Sequence, residues 1–321
     1  MRYLMRGSHT YTTQLLINSG SEAVQMEAWE DTPPVIRRAG GTGQLLNVAS
    51  GTGSIGGLFL KRIIAERDDI GIDGPSLRIL DSGGANRRYL FENCTFIMKK
   101  TVGTSKSDFM QLFDFNFPSM ATIKGCQFLS VGSVPVNSGL NLNAPDGNGH
   151  FDPVYIDNCY FEGPMNFAIF SIGPKPYFNG GFDYCGFFNL SGGIVYGTEE
   201  VDSVLALSYG GHNIGDGTGP SQLVGPKSVT AMTLPDDLRP KADSLLIGAG
   251  DPDLALFKDL FNSTRAFPPA IGSVEFVVVP PPPPPTPPGP PIPPRGRPAP
   301  IYNRPMRGRG GGSREVLDWP V

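Results

Sequence analysis

The chain has 321 residues, among them 42 Gly and 33 Pro, with 17% charged residues and a net charge of −4. So much Gly and Pro disfavours long helices and favours turns, extended strands and linkers. The slightly acidic balance excludes general electrostatic affinity for nucleic acid. It conceals an asymmetry, because six Arg face only Glu315 and Asp318 after Phe276, making that tail +4 and the remainder −8.

The opening "MRYLMRGSHTYTTQ" lacks the apolar run of a secretory signal. No later stretch has the length of a membrane span. The chain is therefore expected either to use no signal peptide or to begin downstream of one. At Gly51–Gly56, "GTGSIG" matches the G-x-G-x-x-G dinucleotide fingerprint and follows the apolar run "QLLNVAS". That fingerprint needs continuing strand–helix alternation, which nothing after Asp73 supplies. The stretch is better read as a Gly-rich turn entering the strand "IGGLFLKR".

From Leu90 onward one pattern recurs: "LFENCTFIM", "TIKGCQFLS", "YIDNCYFEG" and "GFDYCGFFN". Its elements are an apolar residue, a polar one, Asn or a turn-tolerant residue, Cys, any residue, then Phe. All four cysteines occupy the same place, at 94, 126, 159 and 185, with separations of 32, 33 and 26 residues. Such a period signals stacked architecture. The runs between are short and β-rich ("DFMQLFDF", "SGLNLNA", "NFAIFSI", "GGIVYG"), separated by Gly, Asn, Asp, Ser and Pro. Strand, turn, strand and loop without helices predict an all-β parallel solenoid, with equivalent residues stacked about 4.8 Å apart. Phe96, Phe128, Phe161 and Phe187 are expected to form an internal aromatic stack. Cys94, Cys126, Cys159 and Cys185 become small buried plugs beside a turn. Zinc is disfavoured because no CxxC pair exists; disulfides remain the alternative. Asn93 and Asn158 are expected to bond to one another through stacked amides, with Gly125 and Tyr184 interrupting that ladder.

The apolar-x-Asn-Cys-x-Phe rungs resemble the right-handed parallel β-helix superfamily typified by pectate lyases and phage tailspikes. "RGSHTYTTQLLINSGSEAVQMEAWEDTPPVI" (Arg6–Ile36) is similar to the entry region of such proteins. "SLLIGAGDPDLALFKDLFNSTRAFPPAIGSVEF" (Ser244–Phe276) resembles a closing segment of extracellular members. There a Gly-x-Gly-Asp turn precedes an Asp-x-x-Asn/Gly-x-x-Arg element and a terminal Ile-Gly-x-x-Glu strand. The resemblance implies a right-handed parallel β-helix over 1–276, and it says little about activity. A proline-rich spacer (277–300) and a basic Gly/Arg-rich tail (301–321) follow, the former an extended polyproline II rod. The tail is expected to be disordered and offers a docking peptide to a protein partner.

Candidate site residues come from the rungs and from one loop. "NLNAPDGNGHFDP" (Asn141–Pro153) is too long for a tight turn and is expected to project. Asp146, Asn148 and Asp152 offer oxygens to Ca²⁺, the one cofactor considered, while His150 titrates near neutrality. A plain solvated loop is the competing reading. Asp114, Asn116, Asn141, Asn143, Ser171 and Lys175 fall near the ends of neighbouring rungs. They are expected to form an outward polar strip for an extended glycan, with Phe117, Tyr177 and Tyr196 as stacking platforms. Alternation with Leu140 and Leu142 should send Asn141 and Asn143 outward. No catalytic constellation is visible, and "YGGHNIGDGTG", with His212 and Asp216, reads as a turn-rich exit. The expected function is therefore a virion-surface or extracellular protein presenting a polysaccharide-binding face, and non-catalytic. The alternative is a polysaccharide lyase or glycoside hydrolase. Expected partners are a cell-surface glycan and a second copy of the chain, with neither nucleic acid nor a membrane span.

Overall fold

The computed structural model describes residues 2–17, 23–39, 44–48, 56–69, 76–81, 87–103, 107–114, 119–142, 151–171, 180–197, 212–215, 217–223, 238–253 and 258–276. The chain divides into Met1–Val277 and Val278–Val321, and all the described residues belong to the first unit. The spacer and tail therefore lie outside the described residues.

The first coil consists of β1 (Arg2–Met5), β2 (Ser8–Tyr11) and β3 (Leu15–Ile17). The second repeats it with β4 (Ala23–Ala28), β5 (Val35–Ala39) and β6 (Leu46–Val48). Next come β7 (Gly57–Lys61), β8 (Ile64–Asp69) and β9 (Leu77–Asp81), then β10 (Arg88–Glu92), β11 (Thr95–Lys100) and β12 (Asp108–Asp114). These are followed by β13 (Ser119–Lys124), β14 (Gln127–Gly132) and β15 (Val136–Asn141). In the last coils one long strand replaces two: β16 (Phe151–Asp157) leads to β17 (Tyr160–Ser171), and β18 (Gly180–Asp183) to β19 (Gly186–Gly197).

The first sheet runs β1-β4-β7-β10-β13-β16-β18. A second (β2-β5-β8-β11-β14) and a third (β3-β6-β9-β12-β15) merge at β17, which pairs β19. Neighbouring strands pair in parallel, for example β10 with β13 and β11 with β14. The expected all-β parallel solenoid is the fold, and no α-helix occurs among the described residues.

Alternation places the core inside. On β4, Val24, Met26 and Ala28 are buried between half-exposed Gln25 and Glu27. In-register pairing stacks like on like: Leu60, Phe91, Ile123, Ile156 and Phe182 form one inner column. Phe96, Phe128, Phe161 and Phe187 form another, with centroids 5.1, 4.7 and 5.5 Å apart and planes within 16° of parallel. The expected aromatic stack is present.

The recurrent Cys motif has a backbone cause. The residue before each Cys is left-handed: Asn93 (φ 51°), Gly125 (58°), Asn158 (54°) and Tyr184 (48°), with Arg62 (52°) one coil earlier. Asn and Gly adopt this conformation at least cost, so they recur at the turn between the first and second sheets. The amides do not bond to one another, contrary to expectation. Asn93 donates from Nδ2 to the Lys258 carbonyl (2.6 Å) and accepts from Arg265 Nη2 (2.8 Å). Asn158 Nδ2 donates to the Ala270 carbonyl (3.1 Å). A later segment of the chain has taken the place of the ladder.

The four thiols are buried and unbonded. Ile63 holds the same position one coil earlier: Thr95 N–H donates to its carbonyl, as Gln127 N–H does to that of Cys94. A side chain interchangeable with Ile in a column is a space-filler, not a reactive group. Burial pushes the Cys126 and Cys185 thiols up, further from the thiolate.

In the second sheet β11 and β14 are buried on both faces. Ile64, Ile97, Leu129, Tyr160 and Phe188 on its outside pack against Leu223, Leu238, Leu246, Leu260, Ile271 and Val274. The closing motif sits here. Asp259 Oδ1 accepts from the backbone of Phe261 and Ser263, and its Oδ2 accepts from Glu275 N–H (3.1 Å). Gly132 (φ 133°) and Gly163 (φ 124°) press on the preceding coil; a Cβ at either would collide with the carbonyl of Lys100 or Ser130.

Candidate functional site

The third sheet carries a row set by backbone register, in which Gln111 is placed by its backbone alone. Asn47 pairs with Arg78, Arg78 with Gln111, Gln111 with Asn141, and Asn141 with Phe170, on five successive strands. Asn47 Oδ1 and Arg78 Nε are buried without a hydrogen-bond partner. Such orphan groups are uncommon in a folded chain. Three residues further along the same strands, Asp114 pairs with Asp81.

Asn141 corrects the expectation of an outward, solvated amide. It is 7% exposed, and its Nδ2 donates to Asp108 Oδ2 at 2.8 Å. Asp108 Oδ1 accepts from Asn137 Nδ2 (2.8 Å) and Ser138 Oγ (2.6 Å), so this carboxylate organises the start of the row. Beside it, the fully buried Lys100 donates to Ser107 Oγ at 2.7 Å. Of the residues expected in the strip, this row holds Asn141, whose amide belongs to a structural network. Asn143, Asp146, Asn148, His150 and Lys175 lie outside the described residues, as do Asn116, Phe117 and Tyr177. Asp152, Ser171 and Tyr196 are placed by their backbone alone, in β16, β17 and β19.

A second constellation, on the first sheet, was hidden inside the Cys motif. The polar residue two places before Cys forms a column: Glu27, Lys61, Glu92, Lys124, Asp157 and Asp183. Charge alternates from coil to coil, with Lys61 Nζ 2.6 Å from Glu92, until Asp157 meets Asp183. His212 Nδ1 lies 3.2 Å from Asp183 Oδ1, and its ring stacks on Tyr184 at 4.3 Å and 7°. Tyr155, on the face of Asp157, is 48% exposed. Reading "YIDNCYFEG" for its Cys and Phe obscured the aspartate. Reading His212 as part of a turn-rich exit missed its partner, which is 29 residues away. The breakdown of the alternating charges was the signal available in the sequence.

Burial, then the nearby charge of Asp251, push the Asp157 carboxyl up to about 7. Its Oδ1 has no hydrogen-bond partner. A raised carboxyl pKa means that the folded state holds the proton more tightly than the unfolded chain. The associated stability is complete below about pH 4 and is lost as pH rises through about 7. Asp157→Asn is therefore expected to melt higher than the parent protein at pH 8 and equally at pH 4. The gain at pH 8 is about 1–2 kcal/mol once solvent screening of this partly exposed group is allowed for. Thermal melts at the two pH values check this, and a gap independent of pH refutes it.

Among the described residues no three His, Cys, Asp or Glu side chains are grouped to hold a metal ion, and no helix is long and apolar enough to cross a membrane. Comparison of the chain with family models, with curated proteins and with solved structures finds no match.

Proposed function

We propose that this parallel β-solenoid binds an extended polysaccharide along the register row of its third sheet, on a virion or outside the cell. The observation that carries the proposal is the row Asn47–Arg78–Gln111–Asn141, one residue per coil, with unpartnered polar atoms at Asn47 and Arg78. An extended glycan presents hydroxyls at a repeat close to the spacing between coils, and rigidly held amides and guanidinium groups bond to them at little entropic cost. Phe170 at the end of the row provides an apolar edge. A right-handed course, as in the pectate-lyase-like superfamily, is the hand that crossover chirality favours.

Glycan-array binding by the full chain tests this reading. Arg78→Ala is expected to lose ten-fold or more in affinity, since a charge-assisted hydrogen bond contributes about 1.5–3 kcal/mol. Asn47→Ala should lose a few-fold. Full affinity in a folded Arg78→Ala variant sinks the assignment. Asn141→Ala is a poor probe, because it also removes a donor from buried Asp108.

A second reading, glycoside hydrolysis, is favoured by one observation. Asp157, held protonated near neutrality, stands in register with Asp183 on the adjacent strand. A carboxyl held protonated near neutrality beside a second carboxyl is the arrangement a general acid in glycoside hydrolysis requires. New reducing ends that disappear in Asp157→Asn would establish it; binding without turnover supports the first reading.

A further inference from the structure

The closing segment reaches the second sheet as two arms, 238–253 and 258–276, which meet at the corner formed by Asp157 and Asn158. The second arm is fastened there. Gly272 N–H donates to the Asn158 carbonyl (2.9 Å), Asn158 Nδ2 donates to the Ala270 carbonyl (3.1 Å), and Arg265 reaches Asn93. The first arm rests on the second: Ile271 N–H donates to the Leu246 carbonyl (3.0 Å) and Gly250 N–H to the Pro269 carbonyl (2.8 Å). Its Leu238 and Leu246 join the apolar cluster that includes Tyr160 and Phe188. Gly250 is pressed onto the corner, since a Cβ there would fall 2.2 Å from Asn158 Oδ1. Asp251 follows at once, its Oδ1 accepting from Asp253 N–H (2.8 Å). The arm therefore delivers a carboxylate to a corner that already holds one.

Asp157 is faced from every side by named groups. Lys124 on β13 and Asp183 on β18 stand in register with it, and His212 lies beyond Asp183 at 3.2 Å. Asp251 faces it from the closing segment, and Cys159 from its own turn. Three carboxyl groups thus share the corner with one Lys. Of the three, Asp157 has a buried oxygen, Oδ1, without a hydrogen-bond partner. Burial first, and then Asp251, hold its proton up to about pH 7. Asp253, on the same arm, is exposed and acts on Tyr184.

We propose that the first arm is a proton-controlled strap. With Asp157 neutral it closes on the corner; ionisation of Asp157 sets two carboxylates against each other across the contact and lifts 238–253 off the second sheet. The second arm stays, anchored by Arg265 and Glu275. Lifting uncovers Tyr160 and Phe188, so the protein gains an apolar face in alkaline conditions. The sign follows from the raised carboxyl: closure is favoured in full below about pH 4 and is lost as pH rises through about 7. The strap uses no residue of the Asn47–Asn141 row and is independent of the glycan reading.

Hydrogen exchange of the full chain at pH 5 and pH 8 tests it, expressed as protection factors that remove the pH dependence of exchange itself. Protection of the Gly250 and Ile271 amides is expected to fall about ten-fold between the two. Thr95 and Gln127, whose amides donate to the carbonyls of Ile63 and Cys94, should keep theirs. Asp157→Asn should hold the acid value at both pH values. Asp251→Asn, which keeps the acceptor for Asp253 N–H, should shrink the fall, and Asp253→Asn should not. Circular dichroism would confirm that each variant is folded. Four results overturn the proposal. Protection of the arm indifferent to pH shows that no strap opens, and an equal loss at Thr95 and Gln127 shows that the whole solenoid opens instead. A fall that persists in Asp157→Asn places the titrating group elsewhere, such as the Asp183–His212 pair. A fall unchanged in Asp251→Asn removes the arm's carboxylate from the device.

Discussion

Arg265→Ala is expected to destabilise the protein by about 3–5 kcal/mol, the cost of leaving one member of a buried charge pair alone. The side chain is 3% exposed and joins three parts of the fold. Its Nη1 donates to the Ala270 carbonyl (3.0 Å), and its Nη2 to Asn93 Oδ1 (2.8 Å) and the Gly272 carbonyl (2.7 Å). Glu275, equally buried, lies 3.9 Å away and itself accepts from Ala270 N–H. Removing the guanidinium strands the Glu275 carboxylate and frees the left-handed turn at Asn93. Denaturant titration measures the loss, and hydrogen exchange should show the outer face of the second sheet losing protection first. Arg265→Met/Glu275→Leu should recover much of it, because replacing both charges removes the desolvation penalty along with the attraction. A loss below about 1 kcal/mol in Arg265→Ala would show that hydrophobic contact alone holds the closing segment.

Phe128→Ala should cost a similar amount, about 3–5 kcal/mol. Phe128 is fully buried between Phe96 at 5.1 Å and Phe161 at 4.7 Å, with Phe109 edge-on at 6.0 Å. A cavity there cannot be filled by one coil collapsing, because each coil is tied in parallel register to both neighbours. Aromatic pairs add about 0.5–1.5 kcal/mol beyond area, so Phe128→Leu should still lose a measurable share. Phe187→Ala, with one stacked neighbour among the described residues, should cost less. Equal losses at the two positions would argue that transfer of the side chain, and not the stack, sets the stability.

Much of this architecture was legible in the sequence because a solenoid repeats its constraints. The Cys-x-Phe pattern marks a corner where the backbone turns left-handed and the chain then points Phe inward, once per coil, so local sequence and global position coincide. The motif Asp259–Asn262–Arg265 and Ile271–Glu275 was likewise readable, and its residues do form the anchor of the closing segment. What the motif could not say is where that anchor lands. Asn93 and Asn158 looked self-sufficient as a ladder, yet their amides hold residues 165 and 112 positions further along the chain. The same limit applies to the candidate sites. Alternation alone predicted a solvated Asn141, but Asp108, 33 residues away, draws its amide into a buried network. Asp157, Asp183 and His212 each sat in a stretch with a sufficient local explanation. Periodicity is a property of one segment and survives in the linear sequence, whereas hydrogen bonds and charge pairs between coils depend on register, which only the folded chain decides.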